Sequence, residues 1–204
     1  MNNIKGIFLS ITAMLFFSLS GVAQLSGQED LIRRRAAQKV AQMNDYISFM
    51  ASKQKSLKTR QYYSKKALNL FMGEGGPYEE NGVRKDGVKM EVTNRTKKTK
   101  FNRLFKEYFS RLISLGYSDV DIKSTEVADI KVSNLKKVDD NLYVCTCQYD
   151  QAFIGYRDGI PQYTDITTKT IKCYVSLEEV EGGVEYVIRL GDSTADETRP
   201  YPQD

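Results

Sequence analysis

From Asn141 onward the chain runs through three segments in which apolar and polar residues alternate. They are NLYVCTCQYDQAFIGY, QYTDITTKTIKCYVSLEE and VEYVIRL, separated by RDGIP and by a turn at Gly182-Gly183. A period of two sends every second side chain to one face of a strand, and short Gly-bearing turns join antiparallel neighbours. SDVDIK and EVADIKVSNLKKV, which ends at the Asp139-Asp140-Asn141 turn, extend the pattern backwards. The second half of the chain therefore reads as an antiparallel meander.

The first half has a different period. Ile32, Ala36, Val40, Met43, Ile47 and Met50 recur at spacings of four and three, one stripe on a helix. The helix is expected from Gln28, with Glu29 and Asp30 in its first turn, where negative charge suits the helix dipole. A second helix is predicted over Leu57–Met72, with Tyr63, Ala67, Leu70 and Phe71 on its buried side and Gly73 as its stop. GEGGPYEENG reads as an exposed loop and VKMEVT as a short edge strand. Phe101, Leu104, Phe105, Tyr108, Leu112 and Leu115 predict a third helix, closed by Gly116. The basic run NRTKKTKFNR before it reads as a solvated loop and helix start, with an anionic surface as the alternative partner. Beyond Gly191, DSTADETRPYPQD is polar with two prolines and is expected to be disordered.

Helices followed by a meander make an α+β domain, with helices packed on one face of a curved antiparallel sheet. The order helix, helix, loop, short strand, helix, long strands resembles the nuclear-transport-factor-2-like (cystatin-like) fold. More narrowly, VKMEVTN, FKEYFSRLISLGYSDVDIK, VADIKVSNLKK and FIGYRDG resemble a family of exported Bacteroidota proteins of that fold. The resemblance spans roughly Gln28 to Asp192 and brings no catalytic signature with it.

The N-terminus points to export. Lys5 precedes the apolar run IFLSITAMLFF, and SLSGVA then sets Gly21 and Ala23 at −3 and −1 of a cut before Gln24. The run is short of the roughly 20 residues that cross a bilayer. No cysteine follows it for lipid attachment, and no later segment is long and apolar enough to span a membrane. The expected layout is a signal peptide at 1–23, one domain at 24–192 and a disordered tail at 193–204, in the periplasm or outside the cell. The formal charge of +4 becomes +3 when Lys5 is lost, too weak a bias for a nucleic-acid partner. There is no histidine, which removes every Ser-His and Cys-His arrangement and the commonest metal ligand.

All three cysteines lie in the long hairpin. Tyr143, Cys145, Cys147, Tyr149 and Phe153 share one face of the outgoing strand, and Ile171, Cys173, Val175 and Leu177 share one face of the returning strand. Closure at RDGIP sets Cys145 opposite Cys173, and a slip of two residues sets Cys147 opposite Cys173. A metal site lacks histidine or a second cysteine pair at the usual spacing. Two readings stay open: a cross-strand disulfide, Cys145 with Cys173 first, and packing of free thiols in the core. Cys145 and Cys147 do not bond each other, being about 6.6–6.8 Å apart along one strand.

Tyr143, Tyr149, Tyr163 and Asp165 are the candidate pocket residues, against the plainer account that tyrosines suit pleated, half-buried surfaces. The fold resemblance implies a use for Tyr163 and Asp165 as hydrogen-bond donor and base at a cavity mouth. No cofactor and no metal are expected. The partners considered are an envelope protein, a small ligand or a second copy of the chain. The first functional reading is an exported, non-catalytic partner- or ligand-binding domain of the cell envelope. The alternatives are a small-molecule-binding module using the concavity between helices and sheet, and an enzyme using Asp and Tyr there. A carboxyl group held out of water in an open concavity separates the last two from a scaffold.

Overall fold

The computed structural model describes residues 18–94, 99–181 and 183–201. The predicted leader up to Phe17 lies outside them. The first helix, α1 (Ser18–Ala51), carries the predicted stripe: Ile32, Ala36, Val40, Met43, Ile47 and Met50 are all fully buried. Helix α2 (Leu57–Leu68) starts at Ser56, whose hydroxyl accepts from the Thr59 amide at 3.1 Å. It ends earlier than predicted, and Leu70 and Phe71 are buried just beyond it; the backbone amide of Leu190 donates to the Leu70 carbonyl at 2.9 Å. A strand contact thus replaces the last helical turn.

The segment read as an exposed loop contains a small hairpin, β1 (Tyr78–Glu80) and β2 (Val83–Lys85), turned by Asn81 and Gly82 at φ 52° and 74°. Strand β3 (Lys89–Asn94) is not an edge. It pairs antiparallel with β4 (Thr99–Leu104) and lies parallel to the last strand. Phe101 and Leu104 therefore belong to a strand, and helix α3 is only Phe105–Ile113. The apolar spacing there is helical, and pairing with β3 overrides it. The described part of the basic run is the same strand: Lys100 donates to the Ala195 carbonyl and pairs with Glu91 at 3.7 Å. On α3, Phe105, Phe109 and Leu112 are buried, and Phe105 and Phe109 close an aromatic cluster with Phe71.

The meander follows the predicted order. Strand β5 (Asp119–Ser124), the short β6 (Lys131–Val132) and β7 (Lys136–Asp139), and the long β8 (Leu142–Arg157), β9 (Ile160–Val180) and β10 (Gly183–Arg199) form one eight-stranded sheet with β3 and β4. Its main order is β4-β3-β10-β9-β8-β5, and β6 and β7 pair with β8. EVADIKVSNLKKV is thus two short strands rather than one. The β8–β9 hairpin turns on Asp158 and Gly159, at φ 52° and 78°, the two left-handed residues that a two-residue turn requires. The turn pairs Arg157 with Ile160, and the bulge at Gly155/Tyr156 then shifts the ladder by one residue. That shift sets Cys145 opposite Cys173 and Cys147 opposite Ile171, the first of the two registers. Bulges at Gly155/Tyr156, Leu190/Ser193 and Ala195/Glu197 bend the long strands. The class is α+β, with helices on one face of a curved, mostly antiparallel sheet.

The expected disordered tail needs correction over its first part. Ser193–Arg199 complete β10, paired with β9 as far as Arg199 opposite Ile166. These residues lack apolar alternation because small Ser193 and Ala195 face inward. The outward side chains form a polar ladder instead: Asp196 accepts from Thr170 at 2.7 Å, and Arg199 pairs with Asp150 at 2.6 Å.

Of the two readings of the cysteines, the structure has the packed free thiols. Cys145, Cys147 and Cys173 are free and buried, and the Cys147 and Cys173 sulfurs are 3.6 Å apart, against about 2.05 Å for a bond. The thiols are core atoms under α1. Hydrogen bonding to the neighbouring thiols and burial hold the Cys173 thiol well above its ordinary range.

Candidate functional site

The inward face of the β8–β9 ribbon changes character along its length. Facing pairs run Tyr143/Val175, Cys145/Cys173, Cys147/Ile171, Tyr149/Lys169, Gln151/Thr167 and Phe153/Asp165. The first three are apolar or nearly so and lie in the main core. Beyond them the strands carry Lys169, Gln151, Thr167 and Asp165, between 5 % and 7 % exposed, where the sheet faces α3 and β4 rather than the body of α1.

These four residues line a cavity of about 380 Å³. Its walls are largely aromatic and aliphatic: Phe101 from β4, Tyr108 and Leu112 from α3, Tyr117 from the following loop, and Phe153 and Tyr163 from the hairpin. Tyr117, Phe153 and Tyr163 stand edge to face in succession, with both centroid separations 5.9 Å. Gly155 makes room for the first of them. A Cβ at that position would meet the Tyr117 ring at 2.8 Å. Arg103, whose guanidinium lies 4.5 Å from the Phe101 ring centroid, and Arg111 on the exposed side of α3 complete the rim.

Two polar features mark the floor. The Tyr163 hydroxyl donates to Asp165 Oδ2 at 2.6 Å, so a phenol and a buried carboxylate act as one unit. Lys169 is the more unusual group. Its ammonium reaches the thioether of Met90 at 3.7 Å and lies 5.8 Å from the Tyr108 ring centroid. Among the described residues no carboxylate comes within ion-pair distance of it. Burial lowers the Lys169 pKa to about 8, only partly opposed by the Asp165 charge. Burial, with Asp165 nearby, also pushes the Tyr108 phenol far up, so it stays protonated. Behind the floor, Gln151 donates to Asn44 Oδ1 at 2.9 Å, while Asn44 Nδ2 is buried with no partner among the described residues.

Of the four residues singled out from the sequence, Tyr163 and Asp165 meet in this cavity. Tyr143 and Tyr149 do not line it: both are buried in the core, and burial pushes the Tyr149 phenol far up. Cys145 and Cys173 lie deeper in that core. Sequence reasoning missed Lys169, Gln151 and Arg111, and it placed Arg103 only in a basic run with an anionic surface as the alternative partner. Lys169 had a signal: it occupies an odd position of β9 on the face that otherwise carries Ile171, Cys173 and Val175. A larger cleft of about 610 Å³ lies between α1 and β10, lined by Arg35, Lys39, Asp45, Glu185 and Arg189. Most of its polar lining is exposed, and it holds no buried polar group aimed inward. The smaller cavity is the one with buried charged groups at its floor.

No protein-family model matches this chain, and no curated protein matches it. Three solved structures are similar over most of its length. One is a protein assigned as a scytalone dehydratase from Novosphingobium aromaticivorans, 12 % identical, covering 87 % of this chain and 93 % of that one, TM-score 0.40. A hexachlorocyclohexane dehydrochlorinase (LinA) type 2 is 8 % identical over 86 % and 93 %, TM-score 0.39. The Kfla4162 protein from Kribbella flavida is 9 % identical over 81 % and 93 %, TM-score 0.37. At these values the likeness bears on neither activity nor ligand.

Proposed function

We propose that the chain is a small-molecule-binding domain whose site is the cavity between α3 and the β8–β9 hairpin. The observation that carries this reading is the placement of Lys169 and Asp165, both 7 % exposed, at the floor of an aromatic-walled cavity. Burying charged groups costs stability, and a buried charge beside an open cavity is a marker of a site. A scaffold that met partners only through its surface would have no use for that arrangement. The ligand that fits is a small, flat organic acid. Its ring meets Phe101, Phe153 and Tyr163, its anionic group meets Arg103 and Arg111 at the rim, and its other end meets the polar floor.

Isothermal titration with 2-naphthoate tests this. Saturable binding at one site is expected, weakened about tenfold by Arg103→Ala, the loss of one charge-assisted contact, and also weakened with uncharged 2-naphthalenemethanol. Absence of saturable binding across a panel of aromatic carboxylates would overturn it.

The Tyr163–Asp165 hydrogen bond favours a second reading, an enzyme that moves a proton on such a ligand with Asp165 as base. We also infer export, supported by the apolar run Ile7–Phe17 followed by Gly21 and Ala23. Secreted protein should begin at Gln24 by N-terminal mass analysis, and retention of Met1 or Asn2 on the exported form would contradict cleavage.

A further inference from the structure

We propose that Lys169 forms an imine with an aldehyde or ketone group of the ligand held in the α3–hairpin cavity, so that the ligand class is a carbonyl-bearing organic acid. This rests on the binding reading above and assigns the chemistry of the inner end of the same site.

The geometry is that of a lysine kept for nucleophilic work. Its four-carbon stem is buried on β9 and its nitrogen meets a thioether and an aromatic face. Neither neighbour is a strong acceptor, so neither holds the nitrogen in its charged form as a paired carboxylate would. A purely structural buried lysine is normally ion-paired, and Lys169 has no such pair among the described residues. A desolvated lysine in an apolar pocket is one of the standard ways an amine is activated. With a pKa near 8, about two orders of magnitude more of it is neutral at pH 7.5 than of an exposed lysine.

The step balances without an oxidant or reductant. The nitrogen lone pair forms the N–C bond to the carbonyl carbon, and the C=O π pair moves to oxygen. The proton released by nitrogen passes to that oxygen, giving the carbinolamine. Loss of the hydroxyl with a second proton releases one water and leaves C=N. When that imine is protonated its positive charge sits where the Asp165 field favours a cation. Tyr163 holds Asp165 in place through its 2.6 Å hydrogen bond. The rim arginines would bind the acid group and present the carbonyl inward, which separates this site from any exposed lysine.

The test is reductive trapping of the protein with 4-formylbenzoate and cyanoborohydride at pH 7.5, read by peptide mass mapping, beside titration with terephthalate, which has no aldehyde. The expected result is terephthalate binding, with Lys169 labelled at least tenfold faster than any other lysine and labelling slowed by excess terephthalate. Lys169→Arg should abolish that fast label. Should terephthalate bind while Lys169 labels no faster than the exposed lysines, the imine is overturned and the binding site stands. Should terephthalate fail to bind and Lys169 stay unlabelled, both are overturned. The mapping is made on the unaltered chain, so the outcome does not depend on a variant folding.

Discussion

Two halves of one sheet face behave in opposite ways. On β9, Val175, Cys173 and Ile171 point into a closed core under α1, each fully buried among apolar neighbours. Two residues further back the same face presents Lys169, then Thr167 and Asp165, buried to nearly the same degree but bordering a cavity. Pleat, strand and register are shared. What differs is the cover, since the long stripe of α1 fills one half while the nine-residue α3 and the β3–β4 hairpin leave the other half partly empty. Burial alone therefore does not separate core from site. Burial of a charged group beside empty space does.

Substitutions two residues apart should consequently move stability in opposite directions. Ile171→Ala, in the closed half, is expected to cost about 2–5 kcal/mol in chemical denaturation, because its neighbours are too tightly packed to collapse onto the gap. A loss below about 1 kcal/mol would mean that this half is not close-packed. Lys169→Met keeps the stem and removes the charge, so it should stabilise the protein by about 1–3 kcal/mol at pH 7. A clear destabilisation would show the ammonium to be satisfied where it lies.

The pH dependence gives the smaller, sharper signal. Burial holds Lys169 at about 8, below its ordinary 10.5. Below pH 8 both folded and unfolded chains bind the proton, and the native state carries the full penalty. Between 8 and about 10 the unfolded chain binds the Lys169 proton more than the native one, so Lys169 contributes a gain in stability as pH rises. The buried Cys147 and Cys173 thiols, held above their ordinary range, oppose that gain once unfolded thiols begin to ionise near about 8.5. Above about 10 the buried phenols of Tyr108 and Tyr149 reverse the trend, because the native state keeps protons that the unfolded chain loses. The stability difference between Lys169→Met and unmodified protein should therefore shrink as pH rises from about 8 to about 10 in equilibrium unfolding. A difference that stays constant across that window would assign the slope to other groups.

Much of this architecture is legible in residue order. The α1 stripe, the alternation along β8 and β9 and the turn at Asp158-Gly159 all rest on local physics: a helical period, a strand period, and two positions with positive φ. Tyr163 and Asp165 are named through the fold resemblance, since spacing alone does not single them out. What sequence reading misjudged depends on pairing across long separations. Phe101 and Leu104 have helical spacing but pair with β3, and Ser193–Arg199 look like a polar tail but extend β10 by 17-residue strand geometry along β9.

The amino-acid sequence by itself determined which residues face inward, because only an alignment that buries the apolar positions of both alternating strands together suits the hairpin. The bulge at Gly155/Tyr156 reconciles that alignment with the Asp158-Gly159 turn. Only the tertiary structure decided which inward residues would be core and which would line a site. That choice depends on how far a helix from elsewhere in the chain reaches across the sheet. It left Cys145, Cys147 and Cys173 sealed as packing atoms, and Asp165 and Lys169 facing empty space.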